Sequence, residues 1–300
     1  MTRNLWIFPK LPDSNQHQLH SKSDFMSSTQ ILQPSRLFML PKTMIGPLLI
    51  TGLLMAAHVS FGILDTWSKL FTAIGATVIT EQVLHRFMAG SWRNLSSSYV
   101  SGISAGILVR SPLFWPFALT GAISIASKYV FRYRGSHIWN PTNFGIVVML
   151  MIASDHMAVL SIQWGNNMWA MAVIWLVGLF TIYKVNRFHI CAAYIFSFVA
   201  FAFLRSGLTG ELFLAEIAPL TGPMYQLFVL FMITDPKTTL PTKRGQVLVA
   251  VLIAFVEMIF RLNEAVYAPF YGLFVVGPIS IFVWHWLQDR KRADSSVATG

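Results

Sequence analysis

Few residues in this 300-residue chain are of types that do chemistry, and most sit beside glycine or proline. Ser101 and Gly102 lie in a run of small residues, Asn140 and Thr142 flank Pro141, Thr221 and Gly222 precede Pro223, and Thr234 and Asp235 precede Pro236. Such hydroxyl, amide and carboxylate groups can offer hydrogen bonds and uncovered backbone to a ligand. They do not form a nucleophile with its base, so no independent hydrolase or transferase is indicated. The eight histidines lack the His-x-x-x-His or His-Glu-x-x-His spacing that puts two imidazoles on one helix face, and no metal site is expected. A single cysteine, Cys191, excludes an internal disulfide and any cysteine-held iron–sulfur or zinc site of the chain's own.

Three ionisable residues, Glu81, Lys128 and Glu257, fall inside apolar stretches, where a charge costs about 2.5–3.5 kcal/mol on insertion scales and must face a bundle interior or a pathway. Glu81 and Lys128 read as a structural ion pair, with proton or cation handling by Glu81 the alternative. Glu257 precedes Arg261 by four positions, the favourable order for a helix pair.

The elements that must position these residues are membrane helices. Hydrophobic residues make up 55% of the chain and charged ones only 11%, against about a quarter in soluble domains. The charge-poor runs predict an all-α polytopic membrane protein with ten spans, at about 45–64, 67–85, 99–109, 112–131, 142–154, 168–183, 189–204, 223–234, 246–260 and 266–287. With the N-terminus inside, only Lys69, Arg110, Arg205 and Arg261 of the 22 basic residues fall outside. The positive-inside rule then places both termini in the cytoplasm and the protein in the cell inner (plasma) membrane. The basic excess is thereby assigned to the bilayer, and no nucleic-acid partner is needed. Residues 1–43 read as a flexible cytoplasmic tail, 44–287 as the membrane domain with halves at about 44–155 and 167–287, and 288–300 as a basic cytoplasmic tail.

The third and eighth spans are too short to cross: eleven residues give roughly 17 Å of helix against a core of ~30 Å. Five spans per half make the second half inverted, which sets the two short spans in equivalent places. Short, Gly/Pro-interrupted segments so placed mark a midplane site, although small residues also serve plain helix packing. Between the halves, Asn143-Phe144-Gly145-Ile146-Val147-Val148 faintly echoes Phe270-Tyr271-Gly272-Leu273-Phe274-Val275. Asn140 suits the N-cap of a helix begun by Pro141. Asp235, at the unfavourable end of a helix dipole, reads as part of a salt-bridged inner loop or as an ion or cofactor contact. Trp139 reads as an interfacial anchor or a stacking surface.

Three ordered runs carry a resemblance: Ser96-Ser97-Ser98-Tyr99-Val100-Ser101-Gly102; Gly135-Ser136-His137-Ile138-Trp139-Asn140-Pro141; and Phe231-Met232-Ile233-Thr234-Asp235-Pro236-Lys237-Thr238 before Lys243-Arg244-Gly245. Over roughly residues 45–287 the chain resembles the membrane subunit shared by sodium-pumping NADH:quinone reductase (its B subunit) and Rnf-type electron-transport complexes (their D subunit). His137 and Trp139 stand where that loop pattern has Asn and Phe. The resemblance implies ten helices in two inverted halves and flavin-dependent electron transport, with ion translocation and partner subunits of a larger redox complex. Family members attach FMN covalently through a threonine on the outer segment between the fifth and sixth helices. Here that segment, Asp155 to Asn167, has no threonine and only Ser161 as a hydroxyl residue. The flavin implied, FMN or riboflavin, is therefore non-covalent, and this short form is also similar to stand-alone relatives associated with enediyne biosynthesis. The expected site is Ser101, Gly102, Asn140, Thr142, Thr221, Gly222, Thr234 and Asp235, with Glu81 an ion-pathway candidate. A flavin-free small-solute transporter or channel, or an accessory membrane protein of a biosynthetic pathway, stays open as the other reading.

Overall fold

The computed structural model describes residues 51, 55, 58–59, 64–160, 168–235 and 238–297. The expected N-terminal tail, most of the span at 45–64, Ser161, Pro236 and Lys237 lie outside the described residues. From residue 64 on, every charge-poor run of the sequence is helical. The helices are α1 (Trp67–Ala89), α2 (Ser96–Leu108), α3 (Trp115–Val130), α4 (Pro141–Ile152), α5 (Met168–Val185), α6 (Phe188–Thr209), α7 (Phe213–Ile217), α8 (Pro223–Leu227), α9 (Lys243–Leu262) and α10 (Ala268–Val297). Among the described residues, three are long and apolar enough to cross a membrane, over Phe188–Thr209, Lys243–Leu262 and Ala268–Asp294. The bent pair Phe213–Thr221 with Pro223–Met232 makes a fourth if taken as one span.

Local chemistry sets the helix ends. Asn140 caps α4, its Oδ1 accepting from the Asn143 amide at 3.0 Å, with Pro141 at the first helical position. Thr242 caps α9 in the same way through the Gly245 amide at 3.2 Å. Both short spans have visible causes. After 13 residues, about 20 Å of helix, α2 gives way to extended backbone, where Val109 pairs with Val159 and Arg110 with Ala158. The second short segment is bent: α7 runs into a 3-10 turn at Ala218–Thr221, Gly222 is extended, and Pro223 starts α8 after a 60° bend. The chain then passes through a π turn, Phe228–Met232, a geometry that recurs at functional sites.

The packing has a repeated pattern. α1 packs on α2 and α3, and α3 on α4; α6 packs on α7 and α9, and α9 on α10. The faint echo between the runs around Gly145 and Gly272 has a physical meaning here. A Cβ at Gly145 would come 2.6 Å from the Thr120 carbonyl oxygen and 3.1 Å from the Ser124 amide nitrogen of α3, and would collide with Ser124 Oγ. A Cβ at Gly272 would come 3.0 Å from the Ile253 carbonyl oxygen and 3.4 Å from the Glu257 amide nitrogen of α9. Each glycine thus seats a helix on one backbone turn of the helix before it. Glycine is used at both places because no side chain fits between the two backbones.

These distances set an expected order of damage. Gly145→Ala should destabilise by about 1–3 kcal/mol through overpacking, and Gly272→Ala by less. Gly277→Ala, where nothing lies within 4 Å of the added carbon, should be neutral or slightly stabilising. Denaturant unfolding in detergent, followed by circular dichroism, checks the order; equal effects at all three positions would contradict the packing.

Candidate functional site

The two short segments meet at a cavity of about 450 Å³. α2 supplies Ser97, Val100, Ser101, Ile103, Ser104, Ile107 and Leu108, α3 supplies Lys128, and the loop into α4 supplies His137, Asn140, Pro141 and Thr142. Val177, Thr181 and Val185 come from one stripe of α5, and Leu227, Phe231, Met232, Thr234 and Asp235 from the segment after the bend. The result is an apolar chamber with hydroxyl, amide, ammonium and carboxylate groups on its wall, the usual build of a small-molecule site, whose volumes run ~300–1,000 Å³.

Five of the eight sequence-predicted site residues line this cavity: Ser101, Asn140, Thr142, Thr234 and Asp235. Asn140 and Asp235 are joined directly, Asn140 Nδ2 donating to Asp235 Oδ2 at 3.1 Å across 95 positions of sequence. One side chain therefore caps α4 and holds the carboxylate at the end of the segment after the α7–α8 bend. Gly102 does not line the cavity. It faces α1, where an added Cβ would stand 2.5 Å from Thr77 Oγ1 and 2.6 Å from the Ile74 Cα, because the α2 face that carries Ser97, Ser101 and Ser104 lies to one side of Gly102. Thr221 and Gly222 do not line it either. Thr221 is exposed with its hydroxyl donating to the Ala218 carbonyl at 2.7 Å, and Gly222 is the N-cap residue of α8.

Sequence reading missed Ser97, Ser104, Lys128, His137 and Thr181 as lining groups. Ser97, Ser101 and Ser104 recur at the spacing of one helix face, a signal that was present. The position of Thr181 follows from how α5 leans on the rest, which no local pattern shows.

The ionisable groups behind the cavity are paired. Glu81, fully buried, accepts from Lys128 Nζ at 3.4 Å and from the Tyr129 hydroxyl at 2.9 Å, and Arg93 Nη1 lies 3.3 Å from it. Lys128, 6% exposed, also donates to Ser97 Oγ at 3.2 Å and Ser101 Oγ at 3.1 Å. On the far side of Asp235, Arg187 donates to the Thr239 hydroxyl, which in turn donates to the Asp235 carbonyl at 3.1 Å. Burial holds the Arg187 guanidinium below its ordinary range, and the Asp235 carboxylate opposes that shift. Trp139, next to Asn140, donates its indole N–H to the Phe274 carbonyl at 2.8 Å and packs among Phe131, Phe144 and Phe274. It anchors the loop to α10.

Comparison of the chain with protein-family models gives no match, and comparison with curated proteins gives none.

Two outcomes follow from the pairing. Asn140→Ala removes a cap and the link to Asp235 and should cost about 1–2 kcal/mol, whereas Asn140→Ser keeps the cap and should lose less. Glu81→Gln takes from Lys128 the carboxylate it is paired with and should cost about 3–5 kcal/mol, most of it recovered in Glu81→Gln with Lys128→Met. Unfolding in detergent measures both sets, and a Glu81→Gln variant as stable as the parent would contradict the pairing.

Proposed function

We propose that this chain is an integral membrane electron-transport protein that holds a flavin, FMN or riboflavin, non-covalently in the cavity between α2 and the segment after the α7–α8 break. One observation carries the reading: the three sequence runs that resemble the membrane subunit of sodium-pumping NADH:quinone reductase and Rnf-type complexes, far apart in the chain, come together on the wall of one cavity. The residues present fit such a group. The volume is adequate, Val100, Ile103, Val177 and Phe231 give apolar surface for a planar ring system, and Ser101, Lys128, Asn140 and Asp235 give donors and acceptors for its polar edge. A bound flavin would supply the electron-transfer chemistry; the chain supplies position, exclusion of water and electrostatics.

Ten spans in two inverted halves belong to the same proposal. Their support is the repeated packing order, the matched seats of Gly145 and Gly272, and the short segments at the third and eighth places. The charge division between loops supports cytoplasmic termini and residence in the plasma membrane, with the lipid bilayer and other redox-complex subunits as partners. For Glu81, its three partners favour the structural role over ion carriage. The second reading, a flavin-free solute transporter or an accessory membrane protein of a biosynthetic pathway, is favoured by the 60° break beside the cavity, since broken helices also build transport sites.

The absorption spectrum of the detergent-purified full chain, before and after acid precipitation, separates these readings. A flavin spectrum is expected, either as purified or after incubation with riboflavin or FMN, with all flavin released by acid and no fluorescent band on a denaturing gel. A persistent fluorescent band would contradict non-covalent attachment, and a chain that takes up neither flavin would favour the solute pathway. For the topology, cysteine labelling in a Cys191→Ser background should place Asp155→Cys outside and Ser91→Cys inside; the same side for both would overturn the orientation.

A further inference from the structure

Each half of the molecule has a charged side chain that sits on its fourth charge-poor run and is bonded both to its second run and to its short segment. In the first half it is Lys128 on α3, bonded to Glu81 on α1 and to Ser97 and Ser101 on α2. In the second half it is Glu257 on α9, fully buried, which accepts from Tyr194 of α6 and from Tyr225 of α8. Arg261, one turn later on α9, completes that cluster at 3.2 Å from Glu257 and also donates to the Tyr225 hydroxyl. The glycine seats relate the two clusters independently, to within one helical turn. Gly145 rests on the Thr120–Ser124 turn of α3, one turn before Lys128, and Gly272 rests on the Ile253–Glu257 turn of α9, one turn before Arg261, so Lys128 takes the place of Arg261 and Glu257 lies one turn earlier.

We propose that Lys128 and the Glu257–Arg261 pair are counterpart positioning groups, each clamping the short segment of its own half so that the two segments frame the cavity. The physical reason is that neither short segment can be held by span length. α2 buries four small residues, Ser98, Gly102, Ala105 and Gly106, beside two large apolar ones, Ile103 and Leu108, and α8 has only five residues. Small residues bring backbones close but contribute little apolar area, so a segment of this kind needs bonded partners to fix its position. A charge inside a bundle has the complementary need: it must be met by hydrogen bonds on several sides, and a neighbour able to supply them is held in turn. Lys128 meets this with two hydroxyls one helical turn apart, Glu257 with two tyrosine hydroxyls from two helices.

The hubs differ in one respect that bears on the site. Lys128, Ser97 and Ser101 all line the cavity, whereas Glu257, Tyr194 and Tyr225 are sealed away from it, at 0%, 0% and 1% exposure. The first clamp therefore shares its donors with whatever occupies the cavity, and the second fixes the opposite wall from behind. The clamps do not depend on the flavin reading, and the test below needs no ligand, so failure of one leaves the other standing.

Hydrogen–deuterium exchange of the full chain in detergent, read by mass spectrometry, distinguishes a local clamp from general stabilisation. Ser97→Ala with Ser101→Ala keeps the Glu81–Lys128 pair and removes only the bonds to α2. It should raise exchange over 96–108 on the order of tenfold, as expected for hydrogen bonds to a charged group, and leave 223–232 unchanged. Tyr225→Phe should do the reverse. Ser97→Thr with Ser101→Thr, which retains both hydroxyls, should restore the protection of 96–108. If a link variant is not monodisperse, Glu81→Gln with Lys128→Met removes the first hub without leaving a lone charge and should give the same local pattern. Exchange that stays unchanged in the variant's own segment, or that rises equally in both halves, would overturn the proposal.

Discussion

A charge placed among apolar helices must be surrounded by partners, and that constraint organises this molecule. Glu81, Lys128, Arg205 and Glu257 are all buried, and each has its partner in reach: Lys128 for Glu81, Glu216 at 2.6 Å for Arg205, Arg261 for Glu257. Arg205 and Arg261 in addition lie 5.3 and 5.4 Å from the Phe198 ring centre, so even the aromatic core is arranged around charge. Removing any one partner would leave another group stranded where water cannot reach it. The helices that carry these groups are therefore fixed in rotation and depth, and the uncharged helices between them inherit their places.

Within that frame the short segments create space. α2 stops when the chain turns extended to pair Val109 with Val159, and the α7–α8 segment breaks at Gly222 and Pro223. Helices that do not continue cannot fill the middle of a bundle, and the room they leave is lined by their ends: serines, the Asn140–Pro141 cap, Thr234 and Asp235. Helix ends are also where unpaired backbone groups and polar caps concentrate, so the same event that opens the cavity gives it polar groups. The Asn140–Asp235 bond closes the arrangement, because it joins the loop before α4 to the segment that follows the α7–α8 bend.

What could be read from the sequence follows from how local each cause is. The helical runs, the Asn140 cap, the Glu81–Lys128 pair and the Glu257–Arg261 pair are set by neighbours in sequence or by the cost of burying charge, and the structure holds all of them. Gly102 was misplaced because a small residue on a short helix can face a ligand or a neighbouring backbone, and only the crossing of α1 over α2 decides which. Thr221 and Gly222 mark the break itself but sit before the bend, whereas the cavity is lined after it, by Leu227, Phe231 and Met232. Nothing in the sequence singles out Tyr194 and Tyr225; that both point at Glu257 depends on the packing of α6, α8 and α9 together. The weak echo around Gly145 and Gly272 was legible as letters but not as meaning until each glycine was seen seated on the preceding helix.

The central claim is that the two short segments frame the ligand site. It is tested most directly by an experimental density map of the full chain in lipid nanodiscs, recorded with and without added riboflavin. The expected result is new density between α2 and the segment after the bend, bordered by Ser101, Lys128, Asn140 and Asp235. Riboflavin density at another place, with this cavity unchanged between the two maps, would contradict the account.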